Sequence, residues 1–83
     1  MNSEFCDEPA TVVASIDDKG EITPKALTWR KKAYAVTAAG RQWDETDGRH
    51  VLVEAGGTRF ELQLRREDLV WRVRRVWWAS TLV

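Results

Sequence analysis

Residues 58–66 read TRFELQLRR, and within them Phe60, Leu62 and Leu64 alternate with Arg59, Glu61, Gln63 and Arg65. A period of two puts the apolar set on one face of a β-strand and the polar set on the other, and a slip of one residue would exchange the faces. The stretch therefore fixes both a strand and its register. Gly56-Gly57 just before it can take positive φ twice, as a two-residue hairpin turn requires, and RHVLVEA on the far side of the glycines alternates in the same manner. A hairpin with one wet face and one dry face needs further strands to cover its dry side, so the rest of the chain is expected to supply them.

Period-two runs and turn residues recur along the sequence. ATVVASID (10–17) reads as a strand ending in the turn Asp18-Lys19-Gly20, and Pro24 marks a break. ALTWR places Leu27 and Trp29 on one face, Lys31-Lys32 makes a tight basic turn, and AYAVTA aligns Tyr34, Val36 and Ala38. Gly40 signals a bend before RQWDE, in which Trp43 is expected to point inward, and Asp47-Gly48 is a second hairpin signal. The last strand, VWRVRRVWW, sends Trp71 and Val73 inward. Strict alternation would then bury Arg75, which is costly, so a β-bulge at Arg74-Arg75 that returns Val76 to the core is expected. No stripe of helical period competes. The expected fold is all-β: a five- or six-stranded antiparallel meander, curled or closed as a small SH3-like barrel, with residues 1–9 and 79–83 as tails around a single domain at 10–78. Its core is expected to join Trp29, Tyr34, Val36, Val51, Val53, Phe60, Leu62, Trp71 and Val73.

Eighty-three residues suffice for one domain with a thin core, and five tryptophans are a means of burying enough area in so short a chain. The lone cysteine, Cys6, excludes a disulfide within the chain and fits a reducing compartment, while no stretch resembles an export signal or a membrane span. A cytoplasmic protein with no membrane partner is expected. Net charge is zero but unevenly spread: residues 1–23 hold six acids against Lys19, so the remainder carries a matching excess of base. That excess could attract a polyanion unless the acidic segment folds back over it.

Catalytic chemistry is poorly represented. His50 is the one histidine, on an expected strand, and is read as solvent-facing or hydrogen-bonded in a structural role; a Cys6/His50 pair would need proximity and a third orienting group. Asp17 and Asp18 read as turn formers, and Asp44, Glu45 and Asp47 beside Gly48 form a second acidic cluster with little claim to a cation. No phosphate loop, nucleophile elbow or paired ligand spacing is present. No catalytic, metal or cofactor site is expected.

The order EPATVVASIDDKGEITPKALTWRKKAYAV, followed by Trp43, FEL and WRVRRVWW, resembles a family of small bacterial domains of unknown function. Its members carry an acidic DDG turn, a P-x-x-F-x-W-R-G-R-x-Y-x-V segment, a later Trp, a Y-E-L strand and a closing W-R-L-x-R-V. The resemblance spans residues 8–77, through Pro24, Trp29, Arg30, Tyr34, Val36, Trp43, Glu61, Leu62, Trp71, Arg72, Arg75 and Val76. Leu27 stands where the family has an aromatic, Phe60 where it has tyrosine, and Lys31 where it has the turn glycine. Members are often encoded beside error-prone or Y-family DNA polymerases, so the resemblance implies a DNA-repair association and a polymerase-type protein partner.

The residues themselves single out a basic aromatic set: Lys31, Lys32, Arg72, Arg74, Arg75, Trp77 and Trp78. Were the two strands neighbours, cations would lie close to π-faces, the arrangement with which small β-barrels hold single-stranded nucleic acid. Trp77 and Trp78 point oppositely on a strand, so one of them is expected at the surface. Three readings stay open: a nucleic-acid surface, a protein-interaction or homodimer surface using Trp77, Trp78 and the edge of the last strand, and a solvated face over an ordinary core.

Overall fold

The computed structural model describes residues 2–78. Within them the chain is all-β: seven antiparallel strands and no helix, in a single sheet. The strands are β1 (Asn2–Pro9), β2 (Thr11–Ile16), β3 (Ile22–Trp29), β4 (Lys32–Glu45), β5 (Gly48–Ala55), β6 (Thr58–Arg65) and β7 (Trp71–Trp78), in the order β1-β7-β6-β5-β4-β3-β2. From β2 to β7 the sheet is a meander. The seventh strand comes from the segment read as an N-terminal tail, which pairs with β7 from Asn2↔Trp78 to Pro9↔Arg72. Residues 79–83 lie outside the described residues.

β1 and β2 occupy opposite edges of the sheet, yet Ala10 alone separates them in sequence. The sheet therefore has to curl until its edges approach, and the Ala10 amide marks the place by donating to the Trp71 carbonyl at 3.0 Å. The two edges are joined by the chain and not by a ladder, so the sheet is not closed. Curling is helped by bulges in β4 at Val36/Ala38 and Ala39/Gln42, the second of which contains the bend glycine Gly40, and they let one long strand serve both halves. Pro24 does not break the chain as the sequence suggests. It lies buried inside β3 beside a register shift at Val13/Ala14, where a missing ladder donor is tolerated.

The turns follow from side chains as much as from glycines. Asp17 Oδ1 accepts from the amides of Lys19 and Glu21, both at 2.9 Å, which fixes Asp17 as a turn former. The β3–β4 hairpin turns on Arg30-Lys31, one residue earlier than expected, because Trp29 pairs with Lys32. Both turn residues sit at positive φ, 51° and 65°, a conformation that costs an L-residue about 1 kcal/mol or more. Lys31→Gly is accordingly expected to raise stability by about 0.5–1 kcal/mol, read as a higher urea midpoint at unchanged slope. An unchanged midpoint would show that the lysine side chain compensates for the strained backbone.

The core lies inside the curl. Leu27, Trp29, Val51, Val53, Ala55, Phe60, Leu62, Val73 and Val76 form one buried cluster, with Cys6, Val12, Tyr34, Val36 and Trp71 half-buried against it. Phe60 is at its centre, meeting the Trp29 ring edge-on at 5.7 Å and the Tyr34 ring at 5.1 Å. Tyr34, Val36 and Trp71 belong to the margin of this core and not to its interior. The bulge expected in β7 is present: Arg75 opposes Glu61 and Val73 opposes Leu62, leaving Arg74 extra, and both Val73 and Val76 are fully buried. No helix of the structure is long and apolar enough to cross a membrane.

Candidate binding surface on the outer face

The convex face of β5, β6, β7 and β1 carries the side chains out of phase with the core. In register across it run Leu52, Glu61, Arg75 and Phe5, and on the next rung Glu54, Arg59, Trp77 and Ser3. Phe5 is 75% exposed. The Arg75 guanidinium lies 4.3 Å from the Phe5 ring centroid and 4.6 Å from that of Trp77, so the three form a stack along the sheet. Beside it, where the bulges of β4 leave small residues, Ala38, Ala39, Gly40, Leu52 and Arg59 line a groove of about 290 Å³.

Of the seven residues singled out in the sequence, this surface unites Arg75 and Trp77. Arg72 and Arg74 share the outer face but are engaged: Arg72 donates to the Asp7 carboxylate and, at 2.6 Å, to the Asp7 carbonyl, and Arg74 contacts Asp7 and Asp47. Asp7 is held below the usual carboxylate range by its hydrogen bond from Arg72, reinforced by the charges of Arg72 and Arg74. The acidic N-terminal segment thus does fold back over the basic strand. Lys31 and Lys32 lie elsewhere. Their neighbour Arg30 bonds Glu4 and Glu8, which oppose the core residues Val76 and Val73 and so belong to the other side of β1. Trp78, 36% exposed, is on the opposite phase from Trp77. The expected use of β7 as an open edge is overturned, since β1 and β6 pair with it on both sides. Phe5 escaped sequence reading because NSEFCDEP shows no apolar alternation to mark a strand.

A buried polar network occupies one end of the same face. His50 and Gln63 are on the outer phase and yet 3% and 1% exposed. Trp43 does not enter the core as expected but lies half-buried on this face, stacked over the imidazole at 5.4 Å, while Nδ1 meets Glu61 Oε2 at 2.8 Å and Nε2 meets Asp47 Oδ1 at 3.0 Å. Gln63 donates to the Asp47 carbonyl and accepts from Arg74. Only the imidazolium can donate to both carboxylates. Burial alone would push His50 down, but the hydrogen bonds with Asp47 and Glu61 and the charges of Asp47 and Glu45 outweigh it and hold its pKa above the ordinary 6.5.

Glu45, Asp47 and His50 bring donor atoms within 4.8 Å of one another, whereas Asp44 is bound to Arg49. The arrangement is already satisfied from within: Asp47 serves His50 and Arg74, and Glu45 accepts from the Trp43 indole. These side chains form a hydrogen-bond network among themselves, and a cation there would have to compete with Arg74 for Asp47 and with the Trp43 indole for Glu45. Cys6 offers no nucleophile to it. Its thiol donates to the Val73 carbonyl at 3.4 Å, its pKa is raised by burial and by Glu8 and Glu4, and β7 and β6 separate its strand from β5 in the sheet.

No family model matches the chain, and no curated protein or solved structure matches it either.

Proposed function

We propose that this chain is a non-enzymatic protein-binding module, built on an SH3-like curled sheet, that engages its partner with the outer face of β6, β7 and β1. The observation that carries the reading is the aromatic stack: Phe5 and Trp77 stand on a regular strand face beside a groove of small residues, with Phe5 largely uncovered. Apolar area of this kind, rimmed by charges, is what a partner covers. The resemblance adds a DNA-repair setting and a polymerase-type partner to the proposal. Single-stranded nucleic acid receives less support. Two of the five cations that reading needs are neutralised by Asp7 and Asp47, and two more, Lys31 and Lys32, belong to the β3–β4 hairpin, which does not neighbour β7 in the sheet.

Selection of displayed random peptides on the immobilised domain tests the proposal, with Phe5→Ser/Trp77→Ser as control. Enrichment by wild type, lost with the double variant and indifferent to salt, is the expected result. If wild type enriches nothing but binds a single-stranded oligonucleotide with affinity that falls steeply as salt rises, the surface is a nucleic-acid site. Self-association in sedimentation that disappears in the double variant would make the partner a second copy.

A further inference from the structure

The outer face holds one arginine without a counter-charge among neighbours that all have one. Arg72 and Arg74 pair with Asp7, and Arg59 lies 3.6 Å from Glu54. Among the described residues Arg75 makes no ion pair: NH2 reaches Ser3 Oγ at a long 3.3 Å, and Nε is buried with no hydrogen-bond partner. A buried donor left unmade is expensive, and native structures rarely leave one without a reason.

The residue placed to neutralise Arg75 is turned away from it. Glu61 is its direct cross-strand partner on β6, yet Glu61 Oε2 is held at 2.8 Å by His50 Nδ1. Meanwhile Phe5 and Trp77 lie against the guanidinium within 4.6 Å, which fixes its position without using its N–H groups. With Nε buried, the donors open to a partner are those of NH1, which has no described hydrogen bond, and of NH2, which makes only the long one to Ser3; this terminal pair matches a planar two-oxygen acceptor, and apolar groups flanking that acceptor would find the two rings on either side.

Building on the protein-binding reading, we propose that Arg75 is the specificity point of the surface: it takes the side-chain carboxylate of an Asp or Glu in the partner's docked segment, while Phe5 and Trp77 cover the apolar residues flanking that acid. His50 acts as a positioning residue by keeping Glu61 from occupying the guanidinium itself. The anion comes from the partner because the domain's own nearby acids, Asp7, Asp47, Glu54 and Glu61, are each engaged elsewhere.

The peptides selected on wild type are the probe, synthesised with their acid intact and with Asp or Glu replaced by Asn or Gln, and titrated into wild type, Arg75→Gln, Arg75→Lys and Glu61→Gln. The selected peptides are expected to share one acidic position. Replacing that acid, or Arg75 by Gln, should weaken binding by about tenfold or more, as loss of a charge-assisted hydrogen bond does. Arg75→Lys should retain part of the affinity, and it carries the comparison if the Gln variant does not fold. Glu61→Gln should bind at least as well as wild type. Peptides that share no acid, or that bind Arg75→Gln as tightly as wild type, would overturn the carboxylate assignment and leave the protein-binding reading standing. Failure of wild type to select any peptide would remove both.

Discussion

Replacing Gly48 by alanine is expected to cost on the order of 3 kcal/mol, the sum of a strained backbone and a forced overlap. Gly48 opens β5 at a φ of 144°, where only glycine is comfortable. A Cβ built there would lie 2.2 Å from the Leu64 carbonyl oxygen and 3.1 Å from the Arg66 nitrogen, and both of those are backbone atoms. No rotamer change can relieve such a contact. The facing chain would have to move, and it is tied to the same turn by the Arg66 amide donating to the Asp47 carbonyl at 2.9 Å. Domains of this size hold roughly 5 kcal/mol or a little more in reserve, so the variant should melt far below wild type or be largely unfolded at 37 °C. Urea unfolding followed by tryptophan fluorescence measures it. A midpoint within error of wild type would mean that the β4–β5 hairpin can shift register at no cost.

The Asp-Gly pair announced this turn in the sequence, but not the reason glycine is needed, because the clash comes from β6, sixteen residues further on at Leu64. The same division runs through the fold. Local signals carried what they could: the alternation of TRFELQLRR gave Phe60 and Leu62 their buried phase, and the cost of burying Arg75 located the bulge in β7. What failed was decided at long range. β1 is a polar segment held by backbone pairing with a strand some seventy residues away, and no pattern within NSEFCDEP reveals it. For that reason the sequence leaves open whether the acidic segment covers the basic strand, and the structure answers with Asp7 neutralising Arg72 across 65 positions. The candidate surface was half legible: Arg75 and Trp77 stood out as a basic aromatic pair, while Phe5, Glu61 and the groove at Gly40 depend on which strands become neighbours. The sequence allows His50 either a hydrogen-bonded or a solvent-facing place. The structure selects the first, and covers it with Trp43.

The domain should lose stability as pH rises past neutrality, through His50. In the unfolded chain the imidazole titrates near 6.5, and in the fold its pKa is higher because Asp47 and Glu61 bind the charged form more strongly than burial opposes it. A group with a raised folded pKa contributes its full stabilisation below the unfolded value and gives it up as pH climbs through the folded one. The decline should therefore begin near pH 6.5 and level off once the imidazole is neutral, when it can donate to Asp47 or to Glu61 but not to both. Asp47 works in the opposite sense. Its pKa is lowered, first by the hydrogen bond with His50 and then by Arg74, so its contribution is complete above the ordinary carboxylate range and disappears in acid. Stability should accordingly peak between about pH 4.5 and 6.5. His50→Leu keeps the apolar contact with Trp43 but strips Glu61 of its described partner, which should cost on the order of 3 kcal/mol at pH 6, as does breaking a largely buried pair from one side. At pH 9 the penalty should shrink, since wild type has by then lost part of the same interaction. Denaturant midpoints at pH 5, 7 and 9 for both proteins decide the matter: parallel curves for wild type and His50→Leu would mean that His50 titrates alike in the folded and unfolded chains, and that Asp47 and Glu61 do not favour its charged form.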